Sequence, residues 1–235
     1  IMKKNSQDTF NITTAIDYSL FPQKIQNIVK KMGIKELRPS QQKAITQGLF
    51  TTNKHMLISA PTASGKTAIA EFAMLQTILE QKKRVIYVVP LKALASEKYK
   101  DFEKLYSQYF SIHISIGEVQ THNFVKDFDL LLVTAEKLDS LLRHSKEFIK
   151  DVGLIIIDEI HLLNDETRGP TLEVLITLFK MKYSTIRMIG LSATIKNCEE
   201  LANWLNAELV YDTYRPVELH HYTYYDNKLS FQKKS

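Results

Sequence analysis

Two short stretches carry residue types whose order suits phosphate chemistry. Ala60-Pro-Thr-Ala-Ser-Gly-Lys66-Thr67 follows an apolar run and precedes a helix-length segment, the setting a phosphate loop requires. In such a loop the backbone N–H groups of Thr62, Ala63, Ser64, Gly65, Lys66 and Thr67 wrap the phosphates, and the helix N-terminus adds a favourable dipole. Gly65 allows close approach, Lys66 brings a charge to the outer phosphate oxygens, and Thr67 offers a hydroxyl to Mg²⁺. Ala60 stands where many such loops carry glycine. The second stretch is Leu154-Ile-Ile-Ile157-Asp158-Glu159-Ile160-His161, two carboxylates at the end of a β-branched run. Ligands of open α/β sheets bind at that strand edge. Asp158 is placed to hold Mg²⁺, and Glu159 to orient and deprotonate an attacking water.

Each stretch also has a plainer reading. The first could be an ordinary strand–turn–helix with a solvated lysine, the second a solvated acidic turn. Their occurrence together, with the phosphate loop upstream, favours chemistry. His161 reads as a polar relay beside the nucleotide rather than a metal ligand. His113, His122 and His144 offer no short ligand pair, and no cysteine lies near. His220 and His221 carry no case.

These residues need a scaffold that brings strand ends to one edge. Apolar runs alternate with amphipathic segments along the chain, the pattern of a parallel sheet covered on both faces. Strands are expected at His55–Ser59, Val85–Val89, Ile112–Ser115, Leu130–Val133, Val152–Ile157 and Ile186–Ile189. Helices are expected over about 22–32, 39–50, 66–81, 91–107, 135–144, 170–181 and 199–205, with Pro39 suited to a first helical turn. The segment Val217–Tyr225 alternates as a further strand would. The fold expected is a P-loop α/β domain.

Composition narrows the class without naming a function. The chain has 235 residues, 44% hydrophobic and 24% charged, with seven Gly and six Pro, which excludes disordered and collagen-like chains. The single cysteine, Cys198, excludes an internal disulfide framework and a four-cysteine zinc site, and fits a reducing interior. No apolar run approaches the roughly 18–20 residues of a membrane span, and the start Ile1-Met2-Lys3-Lys4 shows no secretory signal. Thirty-one basic against 26 acidic residues leave +5, a surplus compatible with an anionic partner but weak evidence by itself.

With Asp158-Glu-Ile-His161 in place, the sequence resembles a DExH-box helicase of superfamily 2. Several further blocks follow in that family's order. Leu191-Ser192-Ala193-Thr194 resembles motif III, which links hydrolysis to domain movement. Arg38-Pro39-Ser40-Gln41 resembles the Q-motif segment, where Gln41 would read the adenine edge. Pro90-Leu-Lys92-Ala-Leu-Ala95 resembles motif Ia, and Val133-Thr134-Ala-Glu136-Lys137 resembles motif Ib. Leu91–Lys98, Glu136–Arg143, Arg168–Val174, Asn203–Ala207 and Tyr214–Val217 resemble the superkiller-type (Ski-two-like) branch, close to archaeal fork-repair helicases. Gly117–Lys126 departs from that branch, where a Gly-Asp-Tyr-type segment is common.

The resemblance implies a RecA-like domain, mostly a parallel sheet with helices on both faces, which binds ATP and Mg²⁺. It implies catalytic roles for Lys66, Asp158 and Glu159, with Thr67 and Asp158 toward Mg²⁺, and coupling roles for His161, Ser192 and Thr194. Contacts to single-stranded nucleic acid, DNA before RNA, are implied for Pro90, Lys92, Thr134, Lys137 and Arg168. Nothing in the chain matches the family's motifs IV to VI, which belong to a second RecA-like domain. The expected division is an N-terminal extension over 1–32, a first motor domain over 33–225, and a tail over 226–235 toward that absent domain. The implied activity is ATP hydrolysis driving 3′-to-5′ translocation in a longer protein, with this part alone nearly inactive. The alternative is a nucleotide-regulated nucleic-acid or protein-binding module without turnover. Guanine-reading Asn-Lys-x-Asp and Leu-Ser-Gly-Gly elements are absent, which disfavours GTPase and ABC-type readings. The expected location is intracellular, cytoplasmic in an archaeon, with the nucleus as the eukaryotic alternative.

Overall fold

The computed structural model describes residues 13–117, 127–144, 147–215, 221–225 and 228–232. The chain opens with β1 (Thr14–Ala15), α1 (Gln23–Lys31), β2 (Glu36–Leu37) and α2 (Pro39–Thr46). The body then runs β3 (His55–Ser59), α3 (Lys66–Leu79), β4 (Arg84–Val89), α4 (Lys92–Tyr106), β5 (Ile112–Ser115) and β6 (Leu130–Thr134). It continues through α5 (Ala135–His144), β7 (Val152–Ile157), α6 (Gly169–Lys182), β8 (Arg187–Ser192), α7 (Cys198–Leu205) and β9 (Ala207–Tyr211). A hairpin of β10 (His221–Tyr225) and β11 (Lys228–Gln232) follows.

Seven strands form one sheet in the order β5-β6-β4-β7-β8-β3-β9, and every pairing in it is parallel. Strand pleating sends alternate residues to opposite faces, and β4 shows both. Val85, Tyr87 and Val89 join a core with Phe21, Ile25, Phe72 and Phe102 of the α1, α3 and α4 side. Ile86 and Val88 join Leu138, Leu142, Ile176 and Phe179 of the α5 and α6 side. The arrangement is the three-layer RecA-like α/β fold. Because all strands run the same way, Ser59, Val89, Thr134, Ile157, Ser192 and Tyr211 finish on one edge. Every segment singled out for chemistry follows one of those ends or packs beside it.

Some elements differ from expectation for local reasons. Helix α2 stops at Thr46, because Gly48 takes φ +95° and Leu49 N–H turns back to the Ala44 carbonyl. Strand β8 extends to Ser192, since its carboxyl end is paired with β3 as far as Ser59. Strand β9 was not expected: Ala207-Glu-Leu-Val-Tyr211 is an edge strand, mostly half-buried, so its apolar signal is weak. The expected alternating stretch is realised over His221–Tyr225 as half of the hairpin, while residues 216–220 lie outside the described ones, as do His122 and His220. Of the Gly117–Lys126 stretch, residues 118–126 also lie outside them. No helix of the described residues is long and apolar enough to cross a membrane.

Candidate functional site

The phosphate loop is held from outside by residues of the segment that precedes β3. Ser40 Oγ donates to the Ser64 carbonyl at 3.2 Å, Gln41 Nε2 donates to the Gly65 carbonyl at 3.3 Å, and the Arg38 guanidinium donates to the Ala63 carbonyl. Three successive carbonyls therefore face residues 38–41. Among the described residues all peptide bonds are trans, so the N–H groups of Gly65 and Lys66 point to the opposite side of the loop. Outward carbonyls and inward N–H groups are what an anion cradle needs. Gly65 reaches this geometry at φ +90°, and a Cβ there would lie 2.5 Å from Gln41 Nε2. Gln41 itself is 3% exposed, and its Oε1 accepts from the Arg38 N–H at 2.9 Å. Its amide is thus spent on the loop and on the start of α2. Sequence reasoning gave no site role to Arg38 or Ser40, whose partners only the tertiary fold supplies.

Lys66 opens the 14-residue helix α3 and is 8% exposed, with Nζ donating to the Ala60 carbonyl at 2.8 Å. Burial lowers its pKa, and the carboxylates of Glu159 and Asp158 oppose that shift. Those carboxylates follow β7, the strand two places from β3 in the sheet. Glu159 occupies the left-handed region at φ +50°, ψ +44°, an unusual conformation for a non-glycine residue. That turn re-aims the chain, and both Asp158 and Glu159 face one cleft. The Asp158 Oδ1 accepts from the Glu159 N–H at 3.1 Å, and its Oδ2 accepts from Tyr87 Oη at 3.3 Å. Burial raises the Tyr87 pKa well above the usual phenol value, and the Asp158 charge adds to it, so the hydroxyl stays a donor.

The cleft measures about 670 Å³ and is lined by the loop residues Thr62, Ala63, Gly65, Lys66 and Thr67, by Asp158 and Glu159, and by Arg38 and the α4 face. The donor set fits Mg²⁺ rather than a cation caged by protein. Among the described residues no group of three His, Cys, Asp or Glu converges, whereas the Thr67 hydroxyl and the Asp158 carboxylate line the same space. One or two protein oxygens, completed by phosphate and water, is the Mg²⁺ pattern. The loop also holds a buried Ser64 hydroxyl without a partner, a group a bound anion could satisfy.

The segment after β8 lies beside this cleft. Ala193 N–H donates to His161 Nδ1 at 3.4 Å, while Ser192 Oγ and Ser59 Oγ donate to the Ala193 carbonyl at 2.7 and 3.3 Å. His161 Nδ1 also lies 3.3 Å from Glu159 Oε2, so its protonation decides whether it serves Ala193 or Glu159. Thr194 is exposed.

The five residues assigned to nucleic acid sit at the ends of β4 and β6 and at the starts of α4, α5 and α6. Val89 and Thr134 are register partners, which brings Pro90 beside Thr134. Lys92 is exposed at the start of α4, and Lys137 is half-buried in the first turn of α5. Thr134 is buried and its Oγ1 accepts from the Lys137 N–H at 3.4 Å, so it also caps that helix. Arg168, fixed by its N–H to Asp165 Oδ1 at 2.9 Å, shares a small cavity with Pro90, Asp158 and Glu159. That cavity joins the two candidate sites.

A parallel sheet with a phosphate cradle after β3 and an Asp-Glu turn after β7 defines a nucleotide-binding RecA-like domain. Residues 38–201 match the DEAD/DEAH box helicase family, and the chain belongs to it. Over 214 residues it is 50% identical to the ATP-dependent DNA helicase Hel308 of Methanocaldococcus jannaschii, covering 88% of this chain and 18% of that protein. It is 47% identical to the Hel308 of Methanococcus vannielii (90% of this chain, 29% of that protein) and 43% identical to that of Pyrococcus abyssi (86% and 28%). The chain thus spans less than a third of the length of the curated relatives it matches. It is a helicase-family motor domain of the Hel308-like kind.

Proposed function

We propose that this chain binds ATP with Mg²⁺ as the first motor domain of a helicase that moves 3′-to-5′ on single-stranded DNA. The observation that carries the reading is the convergence of Lys66, Thr67, Asp158 and Glu159 on one cleft beneath an outward-tied phosphate loop. The loop N–H groups and the α3 N-terminus receive the phosphates, and Lys66 turns from Ala60 to meet them. Thr67 and Asp158 are the residues that hold Mg²⁺, which when bound neutralises charge on the outer phosphate oxygens. Glu159 orients the attacking water and takes its proton. His161 and Ser192, joined through Ala193, carry the state of the cleft toward the rest of the motor, with Thr194 beside them. Pro90, Lys92, Thr134, Lys137 and Arg168 hold the phosphates of a single strand without reading its sequence. DNA is preferred over RNA because the relatives are named DNA helicases.

The division into an extension over 1–32, a motor domain over 33–225 and a tail over 226–235 belongs to the same reading. A second RecA-like domain supplies the arginine that completes the ATP site, and the protein works inside the cell, in the cytoplasm of an archaeon or the nucleus of a eukaryote. The rival is a nucleotide-regulated binding module that never turns ATP over. Turnover by this chain and by its full-length parent, each with and without single strands, tests the proposal. The chain alone should stay near background, roughly 10³–10⁵ below the assembled site, the factor an arginine finger contributes. Robust strand-stimulated turnover by the chain alone would overturn the half-site account, and an inactive parent would favour the rival.

A further inference from the structure

Asp158 already has a cation beside it. The Lys98 Nζ of α4 lies 3.3 Å from Asp158 Oδ2, with the two side chains 17% and 16% exposed. The same ammonium sits over the Tyr87 ring at 4.8 Å from its centroid and over Phe102 at 5.7 Å. It is a partly desolvated charge resting on two aromatic faces and a carboxylate. Lys66, which also lines the cleft, is turned back onto the Ala60 carbonyl. Lys98 is therefore the cationic partner of the Asp158 carboxylate, which also accepts from the Tyr87 hydroxyl and the Glu159 N–H.

We propose that Lys98 is an internal counter-cation for Asp158, competing with Mg²⁺ for that carboxylate. The inference rests on the nucleotide-site reading above. A Mg²⁺ ion binds oxygen at about 2.1 Å. An ammonium held 3.3 Å from the same oxygen would then face a divalent ion a few ångströms away, with strong repulsion in a half-buried cleft. The lysine has somewhere to go. Glu71 of α3 is buried on the same wall, its Oε2 accepting from Tyr106 Oη, and it lines the same cleft as Lys98. The charge of Lys98 acts on the Glu71 carboxyl against the burial that raises its pKa. A flexible four-carbon stem lets the ammonium pass from one carboxylate to the other without moving α4. Lys98 is a positioning residue, acting on nucleotide only through Asp158.

The test is a Mg²⁺ titration of binding rather than of turnover. A fluorescent methylanthraniloyl-ADP, held at a fixed subsaturating concentration with the 235-residue chain, is titrated with MgCl₂. Lys98→Met and Lys98→Gln should each lower the Mg²⁺ midpoint by about five-fold or more, the scale of one close charge pair. Lys98→Arg, which keeps the charge, should hold the original midpoint. Placing Lys98→Met on Asp158→Asn should abolish the shift. A lysine that merely braces the fold would lower the melting temperature and weaken nucleotide equally with and without Mg²⁺. Unchanged or raised midpoints in both neutral variants overturn the proposal. Failure of the unaltered chain to bind the probe at any Mg²⁺ concentration would instead overturn the nucleotide-site reading beneath it.

Discussion

The phosphate-loop side of the sheet edge and the side proposed to hold a single strand are built on opposite plans. The loop is a closed object: three of its carbonyls are tied to Arg38, Ser40 and Gln41, and its lysine is buried. The side proposed to hold a strand is open. Its residues come from the ends of β4 and β6 and from three helix starts, and Lys92 is exposed. A closed site concentrates its function in a few atoms, so single changes should be severe. An open one distributes weak phosphate contacts, so single changes should be mild and additive.

Glu159→Gln should give the largest effect. In the full-length parent it should cost about 10²–10⁴ in turnover, as loss of a general base does, with nucleotide affinity little changed. Retained turnover would move the base elsewhere. Next comes Gly65→Ala, which forces a side chain into φ +90° and against Gln41. It should weaken nucleotide about tenfold and destabilise the chain by about 1–2 kcal/mol. Following with Gln41→Ala should recover part of the loss if the clash is the cause, and calorimetry with thermal melting reads both.

On the open side, Lys92→Ala and Arg168→Ala should each weaken single-strand binding only several-fold. Each should also reduce the salt slope of the binding constant by about 0.7, the value for one phosphate contact on a single strand. A hundredfold loss from either would mean that this edge is a closed site too. The smallest effect concerns Glu71, whose carboxyl pKa is raised by burial while its bond from Tyr106 pulls the other way. The stability contributed by its neutral form is fully present below the ordinary glutamate value of 4.5 and is lost as pH rises through the raised folded value. Glu71→Gln stays neutral, so its melting temperature should gain on the unaltered chain between about pH 4 and about pH 7. An equal difference at both would show that Glu71 does not titrate across that window.

What could be read from the sequence follows the same division. The cradle and the Asp-Glu turn are contiguous stretches whose roles depend on a strand before and, for the cradle, a helix after, and both contexts are periodic. Strands β3 and β7 were legible because they are buried on both faces and carry a continuous apolar run, Met56–Ile58 in β3 and Leu154–Ile157 in β7. Edge strand β9 was not, because a half-exposed strand carries only part of the apolar signal. Arg38, Ser40 and Lys98 were not assigned to the nucleotide site either. Their importance comes from partners far along the chain, such as Ala63 for Arg38 and Asp158 for Lys98, and no local pattern records such a meeting. Gln41 was expected to read an adenine edge, and in the structure its amide faces the loop carbonyl of Gly65.

The most direct test of the central claim is calorimetric titration of MgADP into this chain and into Lys66→Ala, with a melting curve for each. One saturable site in the unaltered chain, lost in Lys66→Ala without a fall in melting temperature, is the predicted result. Equal affinity in the two proteins would contradict the account.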